Sequence, residues 1–368
     1  MERILISGYY GFQNNGDDAL LQAIVNDLKK QNPEVFLTVL SKNPKETTRR
    51  YGVAAVNRMN PFAVISAIFK CQLLLSGGGT LIQDRTSTKS LLYYLGIIRL
   101  AKLCRKKVML YSNGIGPLRE EHVSMTANVL NRVDLITLRD RAAEEELAKI
   151  QVTKPKIFLT ADPAFTLEAD EKEKGCRLLS ACGLDPNRET VCISVRRWKA
   201  LPENFCSVLA KTADTLSEQY GFQILFLPMQ PSKDLLISQE IAKKMTHPSA
   251  IFPGTENVGE MLALLGQMKL CIGMRLHSLI YAASQCVPVV GLVYDPKISG
   301  FMSYIGQKHV LAVEELSVEA LLSELDAVLE QYDSIQNELQ KTSKDLRKKA
   351  EANARLAEGL LRGEALEL

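Results

Sequence analysis

The chain has 368 residues, 46% of them hydrophobic and 24% charged, with a net charge of +3. That length suggests two domains, and that composition is the one of a soluble globular protein rather than a disordered or fibrous chain. The charge, with a pI near 8.3, is too mild to argue for nucleic acid.

The start, MERILISGYYG, carries a charge and then a short strand. It lacks the apolar core and small-residue cleavage site of a signal peptide. No apolar run reaches the roughly 18 residues of a membrane span; the longest candidate, Pro61–Leu75, is interrupted by Lys70 and Gln72. A cytoplasmic protein is expected. A mildly basic one can still rest on anionic headgroups at the inner membrane face, and basic stretches such as Lys341–Arg355 are candidates for that contact. The eight cysteines include no CxxC pair. They read as small buried hydrophobes, without disulfides or a zinc-type spacing.

In chain order, Arg3–Ser7 is a predicted strand. It runs into the turn-rich loop Gly8–Asp18 (GYYGFQNNGDD) and a helix from about Asp18 to Lys30. Asp17 or Asp18 is the natural helix cap. The spacing is not GxGxxG, so no dinucleotide site is predicted. Tyr9, Tyr10 and Phe12 either stack on a sugar ring or pack the loop on a second domain. Val35–Leu40 is a strand, Pro61–Lys70 a helix, and Gln72–Ser76 a strand ending in Gly77-Gly78-Gly79-Thr80. Successive glycines at a strand's carboxyl end let backbone approach a ligand. Lys89–Leu103 is a helix. Lys107–Tyr111 is a strand ending in Asn113–Pro117 (NGIGP), and Glu120–Arg132 is a helix. Asp134–Leu138 is a strand running into Arg139-Asp140-Arg141. Ile157–Leu159 is a strand ending at Asp162-Pro163. Leu167–Lys174 is the best linker.

The second half repeats the alternation. Strands are expected at Thr190–Val195, Gln223–Leu227, Ala250–Phe252, Leu270–Ile272 and Val287–Leu292. Helices are expected at Glu203–Gln219, Lys233–Met245, Val258–Met268 and from Leu279 to about Gln285. From Ser317 the chain is helical, and the charged stretch Glu338–Arg362 reads as a solvated terminal helix or as one that packs its apolar side on the first domain. This alternation predicts an α/β protein of two Rossmann-like, doubly wound domains facing a cleft. The boundaries are residues 1–170 and 171–335, with 336–368 as a terminal helix.

The stretch Leu270–Tyr294 is strand, turn, helix, strand, with Arg275 and His277 at the turn. A planar cation and a titratable imidazole then stand beside free backbone N–H groups of a helix start, an arrangement suited to an anionic ligand; the alternative is that Arg275 pairs with a structural carboxylate and His277 is a satisfied helix-start residue. Arg196, Arg197 and Lys297 lie at neighbouring strand ends. The scattered carboxylates form no metal cage, and there is no P-loop, GxSxG or HExxH. Metal-free chemistry with general acid help is the simplest expectation.

Six motifs, Gly8–Asp18, Ser76–Thr80 (SGGGT), Asn113–Pro117, Thr137–Asp140 (TLRD), Asp162-Pro163 and Gly273–Ser278 (GMRLHS), fall in the order found in polysaccharide pyruvyl transferases. The chain resembles that family from residue 3 to about 305, and within it the bacterial cell-wall branch of CsaB type. Asp18 stands where that branch has Glu. The resemblance implies a glycosyltransferase-B-like fold and transfer of pyruvate from phosphoenolpyruvate to a sugar diol. The product in that branch is a 4,6-ketal on N-acetylmannosamine of a lipid-linked cell-wall polymer precursor, a ligand for S-layer homology domains. No cofactor is expected beyond phosphoenolpyruvate as co-substrate, and no nucleic acid partner.

On this reading His277 protonates the enol and Arg275 grips the donor with two parallel hydrogen bonds. Arg196, Ser278 and Lys297 complete the donor site. Tyr10, Phe12, Asn14, Asp17, Gly78, Gly79 and Arg139 are the expected acceptor contacts. The runner-up is a nucleotide-sugar glycosyltransferase of the same fold, against which counts the lack of an obvious base-stacking aromatic in the second domain. A non-catalytic two-lobed binding protein is a third class; such proteins usually carry an export signal.

Overall fold

The computed structural model describes residues 2–85 and 87–368. It divides into two compact units, Met1–Thr166 with Leu346–Leu368, and Leu167–Asp345. The first unit opens with β1 (Arg3–Tyr10), α1 (Asn15–Gln31), β2 (Phe36–Ser41), α2 (Pro44–Tyr51), β3 (Ala54–Asn57), α3 (Pro61–Lys70) and β4 (Leu73–Ile82). It continues with α4 (Thr88–Leu103), β5 (Lys107–Ile115), α5 (Glu120–Leu130), β6 (Leu135–Leu138), α6 (Arg141–Lys149) and β7 (Lys156–Leu159). The seven strands form one parallel sheet in the order β3-β2-β1-β4-β5-β6-β7. Helices cover both faces, so the central strands read as continuous apolar runs rather than alternating ones; Ile4, Leu5, Ile6, Leu73, Leu74 and Leu75 are all buried.

Three strand ends differ from the sequence expectation. β1, β4 and β5 each run on through their glycine-containing tails, to Tyr10, Ile82 and Ile115. Glycine weakens a strand on propensity, but here the backbone ladder between β4 and β5 continues through Gly77↔Tyr111 and Gly79↔Asn113. α1 also begins earlier than expected. Asn14, not Asp17 or Asp18, caps it, accepting from the Gly16 amide at 3.3 Å. α2 and β3 were not anticipated. α2 is nearly all polar (PKETTRRY), yet its caps are in the sequence: Asn43 before Pro44 at the start, and Gly52 with φ +60 at the end.

The second unit contains α7 (Lys172–Ala181), β8 (Thr190–Ser194), α8 (Phe205–Tyr220), β9 (Gln223–Phe226), α9 (Pro231–Ala242), β10 (Ala250–Ile251) and α10 (Val258–Leu265). After these come β11 (Met268–Gly273), α11 (Leu276–Ser284), β12 (Val289–Val293), α12 (Pro296–Tyr304), β13 (Val310–Ala312) and α13 (Val318–Glu330). Its parallel sheet runs β10-β9-β8-β11-β12-β13. The three-residue β13 at the edge is too short to show a period.

The last helix, α14 (Tyr332–Arg362), starts in the second unit and ends in the first. Ala354, Leu356, Ala357 and Leu360 belong to the same buried cluster as Ile4, Leu21 and Ile24. Asn353, fully buried, donates to the Ala161 carbonyl at 3.2 Å and accepts from the Thr160 hydroxyl at 2.9 Å. Its burial is thus matched by polar partners at the end of β7. The Lys341–Arg355 stretch turns Leu346, Ala350, Ala352 and Ala354 inward and leaves Lys341, Lys344, Lys348 and Lys349 exposed.

Candidate functional site

Open parallel sheets gather ligands where the strand order reverses, beyond the carboxyl ends. The first sheet reverses between β1 and β4, the second between β8 and β11. Each reversal carries a cluster of polar side chains.

In the second unit, β8, β11 and β12 lie side by side, with Ser194 opposite Gly273 and Gly273 opposite Gly291. Their ends deliver Arg196, then Arg275 and His277, then Tyr294 and Lys297. The Met274 amide donates to the Ser194 carbonyl at 2.8 Å, extending the pairing past β11. A Cβ at Gly273 would stand 2.7 Å from Leu279 Cδ2 and 2.9 Å from Ser278 Oγ, so only glycine lets α11 start this close to its strand. Arg275 takes the helix cap position and His277 lies in the first turn, its ring 5.9 Å from the Tyr281 ring.

Arg275 is engaged in a way the sequence does not reveal. Its Nε donates to Asp234 Oδ2 at 2.9 Å, and its Nη2 bonds Asp234 Oδ1. Asp234, on the first turns of α9, is fully buried and also accepts the Gln230 amide at 2.8 Å. The Nε edge of its fork thus holds a carboxylate of the protein, as the structural alternative for this residue has it, and Nη1 with the outer hydrogen of Nη2 is the edge left to a ligand. Ser278 differs too. Its hydroxyl donates to the Arg275 carbonyl at 2.6 Å, closing the turn from inside the protein.

Arg196 and Lys297 stand over aromatic rings. The Arg196 Nη1 donates to the Tyr294 hydroxyl at 3.0 Å, and its guanidinium lies 5.3 Å from the Tyr294 ring and 5.6 Å from Trp198. Lys297 is 5.4 Å from the Tyr294 ring, and Trp198 meets Tyr294 edge-on at 5.0 Å. Among the described residues, the buried Arg196 Nε has no hydrogen-bond partner. An aromatic pair therefore does exist here, contrary to the sequence reading, and two cations flank it. Arg197 is separate: it pairs with Glu240 on the exposed side of α9 at 2.5 Å.

In the first unit, Tyr10 is corrected from acceptor contact to core. It is 1% exposed, packs with Ile6 and Ile24, and donates its hydroxyl to the Gly77 carbonyl at 2.9 Å. Burial pushes that phenol well above its ordinary pKa. Arg139 is likewise a structural node. Only 5% exposed, it spends each of its three nitrogens: Nε on Asp140 at 3.2 Å, Nη1 on Asp162 at 3.3 Å, and Nη2 on Thr80 at 2.8 Å. It ties the ends of β4, β6 and β7 together. Gly78 and Gly79 have φ of +59 and +78, and a Cβ at Gly78 would press on Leu20 at 3.0 Å. Backbone conformation accounts for both without a ligand.

Phe12, Asn14 and Asp17 remain near solvent. Phe12 stacks on Tyr9 at 4.1 Å and 7°, with the Arg58 guanidinium 5.3 Å from the Phe12 ring. Arg58, buried, donates to the Gly8 carbonyl at 2.7 Å. The loop's aromatics are thus held by a cation of their own unit. Asn14 donates to Asp17, while a Cβ on Gly79 would be 3.4 Å from Asp17 Oδ1. Asp18 turns inward to Arg50 at 3.1 Å; burial lifts its carboxyl above the ordinary range, and Arg50 opposes that rise.

One pair went unseen in the sequence. Asp84, just beyond β4, is 1% exposed and meets His122 Nδ1 at 2.5 Å. It also accepts the Arg119 amide at 3.1 Å. A buried carboxylate so placed orients the imidazole through Nδ1, while Nε2 lies 4.0 Å from Glu121 Oε1. The two residues are 38 positions apart, so no spacing motif could join them. The available signals were weaker: a lone acid in a basic segment, and one of four histidines.

Comparison with known proteins gives a family match: residues 14–296 fit the model described as polysaccharide pyruvyl transferase. The amylovoran biosynthesis protein AmsJ of Erwinia amylovora is 21% identical, over 89% of this chain and 92% of that protein. Among solved structures, a UDP co-structure of MnaA from S. aureus superposes with TM-score 0.69 at 10% identity, covering 100% of this chain and 98% of that one. A putative UDP-N-acetylglucosamine 2-epimerase from Listeria monocytogenes gives 0.70 at 11% identity, with the same coverage. At such identities the likeness establishes the fold alone: two Rossmann-like parallel-sheet units of the glycosyltransferase-B-like class.

Proposed function

Because the chain belongs to the polysaccharide pyruvyl transferase family, and so is a pyruvyltransferase, we propose that it moves pyruvate from phosphoenolpyruvate to a sugar diol. The acceptor is N-acetylmannosamine of a lipid-linked amino-sugar disaccharide, a cell-wall polymer precursor, as in the CsaB-type branch. The product is a 4,6-ketal that serves S-layer anchoring, and the work is done in the cytoplasm. What carries this reading is the set of cations beside one imidazole at the reversal of the second sheet: Arg196, Arg275 and Lys297 with His277.

Phosphoenolpyruvate brings a carboxylate and a phosphate. The free edge of Arg275 suits one, by paired charge-assisted hydrogen bonds. Arg196 and Lys297 suit the other. His277 gives its proton to C3, which makes C2 electrophilic. One sugar hydroxyl oxygen bonds to C2, and the C2–O bond to phosphate breaks. The second hydroxyl then bonds to C2 and closes the ring. One hydroxyl proton restores His277 and the other leaves on phosphate. Phe12, Asn14 and Asp17 are assigned to the acceptor. His122, oriented by Asp84, is the acceptor-side group we assign to take the second hydroxyl proton and pass it on to phosphate. No metal or further cofactor is needed for these steps as written.

The test is incubation with phosphoenolpyruvate and an N-acetylmannosaminyl-N-acetylglucosamine pyrophosphoryl lipid, read by mass spectrometry and phosphate release. A mass gain matching a ketal is expected. Phosphoenolpyruvate left intact beside that diol would end the reading. The Trp198–Tyr294 pair favours a second one, a nucleotide-sugar glycosyltransferase; nucleotide release from a UDP-sugar, with none of phosphate from phosphoenolpyruvate, would select it.

A further inference from the structure

The first unit carries apolar side chains in the wrong place for a water-facing helix. On α3, Phe62 and Phe69 are 82% and 62% exposed, and Ile65 between them is exposed as well. Met59, just before the helix, is 65% exposed. The spacing i, i+3, i+7 puts Phe62, Ile65 and Phe69 on one face. The opposite face, Val64 and Ile68, is buried in the unit's core. α3 is therefore apolar on both sides, whereas a solvated surface helix has one polar side. On the neighbouring α4, Leu92 and Leu103 repeat the pattern, with Leu103 at 70%. The two helices run side by side: Arg58, before α3, reaches Tyr94 on α4 at 3.4 Å, and Lys106, after α4, donates to the Phe69 carbonyl at 2.8 Å.

Charge singles out the same region. Between Glu46 and Glu120 the chain has twelve Lys and Arg against one acid, in a protein whose net charge is only +3. That acid, Asp84, is buried on His122. Lys70, Arg99 and Arg105 are exposed at the ends and on the outer face of α3 and α4. Asp134, which approaches this region from the sequence beyond it, is neutralised by Lys102 at 2.7 Å. Exposed aromatics and cations in a stretch with no exposed acid between Glu46 and Glu120 match the boundary of an anionic bilayer, with rings at the acyl edge and cationic groups at the phosphates. A second protein's apolar groove would fit the rings but would give no reason for the one-sided charge.

We propose that α3 and α4 form a docking face for an anionic phospholipid membrane, with Phe62, Ile65, Phe69 and Leu103 entering the headgroup boundary and Lys70 and Arg105 on the lipid phosphates. Among the described residues no helix is long and apolar enough to cross a membrane, so the contact is interfacial. That this face brings the enzyme to a lipid-linked acceptor rests on the function proposed above; the docking itself does not.

The test is vesicle flotation of the full chain without any substrate, using phosphatidylcholine with and without phosphatidylglycerol. Capture by the anionic vesicles is expected, falling as salt rises. Phe62→Ser with Phe69→Ser should lower partitioning about tenfold or more, since two rings leave the acyl boundary. Lys70→Gln with Arg105→Gln should lower it about tenfold on anionic vesicles and leave the neutral ones unchanged. All four side chains are exposed, so circular dichroism and activity on a soluble diol should match the parent. Equal capture by neutral vesicles, or capture unaffected by both double variants, would overturn the proposal. So would a dimer in mass photometry that Phe62→Ser dissolves with no vesicle capture in the parent, since the face would then belong to a second copy. Failed ketal formation with intact vesicle capture would count against the enzymatic reading alone.

Discussion

Asp234 fixes one edge of Arg275 from a position that water does not reach, so the guanidinium is presented to the sheet's reversal in one orientation. A buried pair of this kind is not evidence of stability in itself, but breaking it is costly because one charge is left alone. Asp234→Ala is expected to destabilise the protein by about 3–5 kcal/mol, read by urea unfolding. Arg275→Lys keeps the charge and loses the planar fork. Its donor KM should rise by roughly tenfold or more with a smaller change in kcat. An unchanged donor KM would remove Arg275 from the donor site.

His277→Ala should lower kcat by ~10²–10⁴-fold, the range for losing a general acid, while thermal stability stays near the parent's. Near-parental turnover in that variant would refute the acid role.

His122→Gln gives a separate test on the first unit. As the acceptor-side base, its loss should cost ~10²-fold or more in kcat and leave phosphoenolpyruvate KM in place. Asp84→Asn should produce a smaller loss in the same parameter, because it only orients the ring. A fall in melting temperature with turnover intact would make the pair structural.

Asp27 predicts a pH dependence. It sits on α1, 8% exposed, accepting from the Thr166 hydroxyl at 2.9 Å. Burial raises its carboxyl from the ordinary 3.8 to about 7, with Thr166 opposing, Glu351 adding and Lys30 and Arg347 opposing more weakly. The folded state then holds a proton between about pH 4 and 7 that the unfolded state has released. Stability from this group is fully present below pH 4 and is lost as pH rises through 7, by an amount on the order of 4 kcal/mol. Asp27→Asn should flatten that part of the profile in melts at a series of pH values. A wild-type curve that rises from pH 4 to 7 with the same slope in both proteins would contradict it.

Asn353 holds α14 to the end of β7. Asn353→Leu removes both bonds and leaves the Ala161 carbonyl and Thr160 hydroxyl buried without it, at a cost of about 1–3 kcal/mol. Hydrogen exchange should speed up in Leu346–Arg362 before it does in the sheet. Uniform exchange across the unit would mean the helix is held by its apolar side alone.

The alternation of apolar runs with amphipathic segments already specified two parallel sheets, because a strand covered on both faces must be continuously apolar and its crossover must be a helix of sufficient length. α2 escaped because its eight residues are nearly all polar, and the edge strands β3 and β13, apolar but only four and three residues long, are too short to show a period. At the sites, residue type was readable and partner was not. Arg139 and Arg275 are both cations at strand ends, and nothing local distinguishes the one whose nitrogens are all taken by Thr80, Asp140 and Asp162 from the one that keeps an edge open. Tyr10 and Phe12 are two positions apart in one loop, yet one ring is core and the other is not.

The amino-acid order alone determined the class of each unit, the strand ends that carry glycine and cations, and the motifs that belong to a pyruvyltransferase. Those properties follow from periodicities of two to four residues and from turns, which are local. Tertiary structure alone decided that Asp234 meets Arg275, that Asp84 meets His122, and that the apolar face of α3 is left uncovered. Each of these depends on which distant segments the sheet order brings together, and charge pairing or exposure at such distances leaves no trace in sequence spacing.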